Sequence, residues 1–146
     1  MKILLSLFAF SISMALFSPL HAQEISPESP GAKTTTTTGS VARALFTTAV
    51  ADRESVDEIK DLKNDANKIF FFTDIKGLAG QTITHRWEYK GQVMFEISFN
   101  IGASRWRVWS NKTLDPGWLG EWKVSVVDST GNAIAESSFT YTKAGQ

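Results

Sequence analysis

Apolar and polar side chains alternate with a period of two over most of residues 41–142, with turn-forming residues between the alternating segments. This period places successive side chains on opposite faces of a β-strand. The pattern predicts seven strands, at residues 41–51, 69–73, 82–89, 93–101, 105–110, 121–128 and 133–141. Seven short strands without a long helical pattern indicate an all-β domain, an immunoglobulin-like antiparallel β-sandwich.

A polar connection, residues 52–67, separates the first two predicted strands. Its sequence Ser55-Val56-Asp57-Glu58 matches a capping box, the arrangement in which a serine and an acid three residues later stabilise a helix start. We therefore expect one or two helical turns in this connection.

The third and fourth strands are predicted to form a hairpin around Lys90-Gly91-Gln92. A two-residue turn would place the apolar row of the second strand opposite polar residues. A three-residue loop pairs apolar with apolar side chains, and a one-residue slip would expose the whole row. We therefore predict the three-residue loop, with the pairs Tyr89–Val93, Trp87–Phe95, His85–Ile97, Ile83–Phe99 and, on the outer face, Arg86–Glu96.

The first 22 residues have the order of a secretory signal. Lys2 precedes an apolar run, residues 3–17, which is followed by Pro19 and the small residue Ala22. The run is short for a membrane anchor, which normally needs about 20 apolar residues, so we predict cleavage after Ala22. An uncut anchor is the alternative, and either outcome implies export, to the periplasm or the cell surface.

Four segments follow from these patterns. Residues 1–22 are the signal, and residues 23–40, rich in Pro, Ser, Thr and Gly, are a linker with too few apolar side chains to form a core. Residues 41–142 are the β-sandwich domain, and residues 143–146 are a short tail.

Composition removes several classes of function. The 146 residues contain 15 basic and 15 acidic side chains, and losing Lys2 with the signal leaves 14 basic ones. This balance gives no basic surface for nucleic acid or anionic lipid. The chain has no cysteine, which excludes thiolate zinc sites, disulfides, cysteine nucleophiles and lipid attachment through cysteine. We predict neither a cofactor nor a metal site.

His85 is the only histidine beyond the predicted signal, so any Ser-His-Asp triad must use it. It falls on the inward row of its strand, and no nucleophile elbow accompanies it. We therefore predict a core histidine that is hydrogen-bonded to the backbone.

Two acidic patterns also have a structural interpretation. Glu88 and Glu96 could form an acid/base pair for sugar hydrolysis. The predicted register instead places Glu96 beside Arg86, which keeps a carboxylate ionised. The oxygen donors of the connection do not have the spacing of a calcium-binding EF-hand loop, which favours a solvated loop; they are Asp61, Asn64, Asp65 and Asn67.

The tryptophans are the strongest candidates for binding, because four of the five lie within residues 106–122. Trp106 and Trp122 share the parity of apolar neighbours and are predicted to be core. Exposed aromatic rings beside arginine form a platform for a sugar ring or a partner side chain. We therefore predict a ligand-binding surface of Arg105, Arg107, Trp109 and Trp118; the alternative is that an arginine simply covers Trp109 in a cation-π contact.

Several segments of the chain resemble the bacterial domain of unknown function 2914. The segments are VARALFTTAV at 41–50, FFTD at 71–74, HRWEY at 85–89, WRVWS at 106–110, and PGW at 116–118 followed by GEW at 120–122. The resemblance extends over about residues 41–142. It implies a bacterial β-sandwich module of exported or membrane-anchored proteins, and it brings no activity or catalytic residue.

From these observations we expect an exported, non-catalytic binding module of the cell envelope, with a glycan or a protein as ligand. A purely structural module that packs on a partner protein is the alternative. An enzyme is the third choice, because a single inward histidine leaves little chemistry to arrange.

Overall fold

The structure is a computed structural model that describes residues 39–145. This range contains ten β-strands. No helix is present in that range. The predicted signal and all of the predicted linker before Gly39 lie outside the described residues. The strands are β1 (Ser40–Thr47), β2 (Val50–Ala51), β3 (Glu54–Ser55), β4 (Asp61–Lys63), β5 (Lys68–Lys76), β6 (Thr82–Tyr89), β7 (Gln92–Asn100), β8 (Arg105–Thr113), β9 (Gly120–Val127) and β10 (Ala133–Thr142).

Two sheets form a sandwich. The small sheet has the strand order β1-β5-β8, and the large sheet has the order β4-β10-β9-β6-β7. β4 runs parallel to β10, whereas the other pairs in both sheets are antiparallel. The prediction of an all-β sandwich is confirmed, and the immunoglobulin-like strand arrangement stays a prediction.

Aromatic side chains fill the space between the sheets. The Phe46 ring of the small sheet lies 5.9 Å from Trp87 and 4.7 Å from Phe139 of the large sheet, measured between ring centroids. Trp122, predicted to be core, is fully buried and stacks on Tyr89 at 4.7 Å. Burying each such ring stabilises the fold by roughly 1.5–3 kcal/mol, so this aromatic layer is the main force that holds the sheets together.

The connection between β1 and β5 contains short strands instead of the predicted helical turns. β2 and β3 pair as a small hairpin, and β4 joins the large sheet. The carboxylate of Asp57, expected at a helix start, instead accepts hydrogen bonds from the hydroxyls of Thr47 and Thr48 at 2.6 and 2.5 Å. The helical prediction was wrong because Asp57 stabilises the chain bend after β1.

The β6–β7 hairpin combines both of the turns that the sequence allowed. Tyr89 pairs with Gln92 across a two-residue turn, and a β-bulge then shifts the register, so that Trp87 pairs with Phe95 as predicted. The predicted pairs His85–Ile97, Ile83–Phe99 and Arg86–Glu96 are also present. The three-residue loop and the pair Tyr89–Val93 were wrong, because the bulge restores the apolar register without a longer loop.

The turn of this hairpin offers a test of local backbone energetics. Lys90 and Gly91 have φ values of +49° and +76°, a combination typical of a type I′ turn, in which Asn-Gly is favoured. We expect Lys90→Asn to stabilise the protein by about 0.5 kcal/mol and Gly91→Val to destabilise it by about 1–2 kcal/mol. Urea denaturation measures both, with Lys143→Asn as a control for the loss of a lysine charge. A neutral effect of Gly91→Val would contradict the turn assignment.

The two sides of the sandwich are closed to different extents. At the β1 side, the two residues Ile59 and Lys60, which precede β4, form hydrogen bonds to both sheets. Ile59 N–H donates to Phe46 C=O of the small sheet, and Thr140 N–H of the large sheet donates to Lys60 C=O. At the other side, β7 and β8 are the last strands of their sheets, and no described strand connects them. We call this β7/β8 side the open side.

Candidate binding surface

The alternation of side chains along β8 assigns the predicted site residues to faces of the small sheet. Val108 and Ser110 are buried and point toward the large sheet. Arg107 and Trp109 therefore point to the outer face, as predicted. Trp106 is half-buried and packs against the core, which agrees with its predicted inward direction.

A buried carboxylate organises the arginines on the outer face. Asp74 of β5 is only 1% exposed. Arg105 donates to it from Nη2 at 2.7 Å and from Nε at 3.2 Å, and Arg43 of β1 donates at 3.4 Å. Hydrogen bonding from Arg105, together with the three arginine charges around it, lowers the pKa of Asp74 although burial acts in the opposite direction. The carboxylate therefore stays ionised and fixes the arginine side chains.

A second acid connects the two strands that flank β5. Glu54 of β3 pairs with Arg43 on β1 and with Arg107 on β8, each at 2.8 Å. These arginines lie on either side of Asp74, to which they are register partners. Arg107 Nε is buried, lies 4.0 Å from the Asp74 carboxylate and has no hydrogen-bond partner among the described residues. We call the five groups, Arg43, Glu54, Asp74, Arg105 and Arg107, the outer-face charge cluster.

Trp109 lies beside this cluster in an apolar row. Its register partner on β5 is Phe72, which in turn pairs with Leu45 of β1. Phe72 is fully buried on this outer face, and the Arg43 guanidinium lies 5.0 Å from its ring centroid. Trp109 itself is half-buried, so only part of its ring is available to a ligand.

Trp118 belongs to a different group of side chains. Its ring centroid lies 5.8 Å from that of Trp122, and Lys112 Nζ lies 5.4 Å from the Trp118 ring. Lys112 shares the inward parity of Ser110 on β8, opposite to that of Trp109. The structure thus groups Arg105, Arg107 and Trp109 on one face and places Trp118 at the end of the core.

The open side exposes an apolar row that was predicted to be inward. Phe95 and Ile97 pair with the buried Trp87 and His85 and therefore share their inner face, yet they are 38% and 36% exposed. The small sheet ends at β8, and no described strand lies beyond it over this row. The Lys112 side chain of β8 reaches Phe95, with its Nζ 6.0 Å from the ring centroid. Phe99 of the same row lines a groove of about 270 Å³ together with Arg107, Val108 and Trp109. The groove therefore lies between the inner row of β7 and the edge of β8.

The family comparison applies to this region of the chain. Residues 80–141 match the family model described as "Protein of unknown function (DUF2914)". Over these residues the chain is similar to the DUF2914 family. The resemblance stated from sequence is thereby confirmed for β6 to β10. A comparison with curated proteins gives no match.

The DUF2914 match includes all four predicted site residues and both strands of the open side. It does not include Asp74, Glu54 or Arg43, which belong to strands before residue 80. The arginines of β8 therefore lie within the DUF2914 match, whereas the acids that neutralise them come from the preceding strands.

His85 of the DUF2914 match is buried in the core, as predicted, but its partners differ from the prediction. Its Nδ1 lies 2.9 Å from Ser110 Oγ and its Nε2 lies 3.1 Å from Thr73 Oγ1, so side-chain hydroxyls replace the expected backbone groups. Thr73 donates to Val108 C=O, which makes it the acceptor of His85 Nε2–H. Ser110, which accepts from Trp87 Nε1, then donates to Nδ1. Burial lowers the pKa of His85 to about 3, so the ring is neutral.

Glu88 and Glu96, the candidate acid/base pair, each form an ion pair instead. Glu96 pairs with Arg86 at 2.5 Å as predicted, and Glu88 pairs with Lys123 at 3.3 Å.

In the connection after β4, the Asn64 side chain donates a hydrogen bond to Pro116 C=O and accepts one from Ala144 N–H. Within residues 39–145, no group of three His, Cys, Asp or Glu side chains is placed to hold a metal ion. In the same range, no helix has the length and apolar character needed to cross a bilayer.

Sequence reasoning missed Asp74 as the centre of the charge cluster. It directly follows the apolar run predicted as the strand 69–73, on the parity of Phe70 and Phe72. The parity of that run was the available signal, because Thr73 alternates with Asp74 and only one of the two can face the core.

Proposed function

We propose that this protein is an exported, non-catalytic binding module of the bacterial cell envelope, and that its ligand is a protein that docks on the open side. The exposure of the inner row of β7 is the observation that carries this proposal. Exposed apolar groups that share a face with a core are stabilised when another surface covers them. The adjoining groove and the half-buried Trp109 extend the same surface onto β8.

Two features favour a protein ligand over a glycan. A sugar platform requires well-exposed aromatic faces, and the two candidate tryptophans are half-buried and belong to separate groups. The exposed groups of β7, Phe95 and Ile97, are instead typical of protein interfaces. The non-catalytic part of the proposal is supported by His85, whose two ring nitrogens are both engaged inside the core.

Site-specific photo-crosslinking tests the proposal. We expect a benzoylphenylalanine at position 97 to give a crosslinked adduct with one envelope protein in cells of the source organism. Position 134 is the matched control, because Ile134 is 36% exposed like Ile97 but lies on β10, on the other side of β9 and β6 from β7. Equal labelling at both positions, or none at position 97, would exclude a protein ligand on the open side.

A structural module that packs permanently on a partner protein is the second candidate function. This candidate uses the same exposed row of β7, but its complex with the partner protein is permanent instead of reversible. An adduct partner that co-purifies with the protein without crosslinking, at equal amounts, would favour this permanent assembly over reversible binding.

A further inference from the structure

The edge of β8 has the properties of a site for strand addition. β8 pairs with β5 along Arg105–Thr113, and no described strand lies on its other side. Alternate backbone N–H and C=O groups of β8 therefore point away from β5, toward the open side. A further strand beside β8 would continue the small sheet over the exposed row of β7.

We propose that the open side binds an extended, acidic segment of a partner protein, which joins the edge of β8 as a fourth strand of the small sheet. This inference rests on the proposed function and names the kind of ligand.

The apolar half of the recognition comes from β7. An added strand would point alternate side chains toward Phe95, Ile97 and Phe99 and cover the groove that Phe99 shares with β8. Apolar residues at every second position of the segment would satisfy this row. The other positions would lie on the outer face, next to the outer-face charge cluster.

The charge along the edge of β8 predicts which side chains the added segment carries at its outer-face positions. On its outer face β8 has two cations, Arg105 and Arg107, and no acid. Its third cation, Lys112, has inward parity and lies over the rings of Trp118 and Phe95. β7 has one acid, Glu96, which Arg86 neutralises. The outer-face charge cluster holds three arginines against two carboxylates, so one positive charge of the cluster is in excess. The edge thus keeps an excess positive charge, which attracts acidic side chains and repels basic ones.

The same charge argues against a second copy of this chain as the occupant. Pairing β8 with β8 of another molecule would bring six cations of the two strands together without an acid on either strand. Cations on an edge strand can also simply prevent aggregation. A test must therefore distinguish the binding of an acidic segment from self-association of the chain and from cations that only prevent aggregation at the edge.

Synthetic peptides provide the probe. We expect the octapeptide (Val-Glu)4, blocked at both ends, to bind the protein in calorimetric titration at low salt, and to bind more weakly as salt is added. (Val-Lys)4 is the charge control, and (Val-Glu)4 N-methylated at its four central residues is the backbone control. Neither control peptide should bind, because one has the wrong charge and the other lacks the backbone donors needed for strand pairing. Hydrogen exchange should slow within residues 105–113 when (Val-Glu)4 is added.

A pair of arginine variants tests the position of the acidic side chains. Arg105→Gln should weaken (Val-Glu)4 binding about fivefold, whereas Arg86→Gln should not change it. Both arginines pair with a carboxylate, but Arg86 lies on the outer face of the large sheet. The hydrogen-exchange measurement on the unmodified protein remains decisive if Arg105→Gln perturbs the fold.

The outcomes separate this inference from the proposed function. Absence of (Val-Glu)4 binding, equal binding of (Val-Lys)4, or protection at a strand other than β8 would overturn strand addition. A dimer with protected β8 in sedimentation experiments would replace the partner segment by a second copy. If peptide binding fails while position 97 still gives a specific crosslink, the proposed function survives and only the strand-addition inference is lost.

Discussion

Replacing Asp74 by alanine is expected to lower the free energy of unfolding by about 2–4 kcal/mol. The carboxylate is buried on the outer face and accepts hydrogen bonds from Arg43 and Arg105. Its removal leaves three arginine side chains around an uncompensated site. Removing one partner of a buried ion pair costs about 3–5 kcal/mol, and the partial exposure of the arginines reduces that cost here. Urea denaturation followed by tryptophan fluorescence measures the change.

Glu54→Ala is the matched control for this prediction. Glu54 contacts Arg43 and Arg107 of the same cluster, but its side chain is 41% exposed. Exposed ion pairs contribute little, so we expect a much smaller loss of stability than for Asp74→Ala. Asp74→Asn separates charge from volume, and it should be nearly as destabilising as alanine if the charge dominates. Equal effects of Asp74→Ala and Glu54→Ala would show that burial of Asp74 does not increase its contribution.

The strands with strong alternation could be predicted from sequence, and the short polar ones could not. β6 and β9 carry buried side chains at every second position, mostly apolar ones, and this alternation predicts both the strands and their inward faces. β2, β3 and β4 are two or three residues long, too short to show a period. Their positions depend on long-range bonds such as Ile59 to Phe46, which the local sequence does not encode.

The hairpin shows why register needs more than the apolar pattern. The pattern correctly required Phe95 to lie opposite Trp87, and the turn chemistry of Lys90 and Gly91 independently favours a two-residue turn. The two requirements differ by one residue, and a bulge between Trp87 and Glu88 absorbs the difference. A bulge has no strong sequence signature, so this combination of turn and bulge could not be chosen from the sequence.

The candidate site was predictable strand by strand but not as an assembly. The alternation of β8 placed Arg107 and Trp109 on one face correctly. Whether Trp118 joins them depends on the path of the chain between β8 and β9, which brings it to Trp122 instead. The exposure of Phe95 and Ile97 depends on the number of strands in the opposite sheet, which is set by the whole topology.

His85 is expected to make the protein lose stability on acidification. Burial lowers the pKa of its ring to about 3 in the folded protein, compared with 6.5 for an ordinary histidine. Between these pH values the unfolded chain binds a proton that the folded protein does not, so lowering the pH favours unfolding. The stability conferred by this group is complete above about pH 6.5 and falls by about 1.4 kcal/mol per pH unit below it. The total loss approaches about 5 kcal/mol near pH 3, a large part of the stability of an ordinary domain.

Urea denaturation at several pH values between about 5 and 6.5 tests this expectation, because most carboxylates remain ionised in that window. The only other histidine, His21, lies in the predicted signal. His85→Gln is the informative variant, since its amide can still bond Ser110 or Thr73 but does not titrate. We expect it to be less stable than the unmodified protein at neutral pH and to have a flatter dependence of stability on pH in this window. If the unmodified protein were equally flat, His85 would have to accept a proton within the fold, and its hydroxyl partners would have to rearrange so that both ring nitrogens can donate.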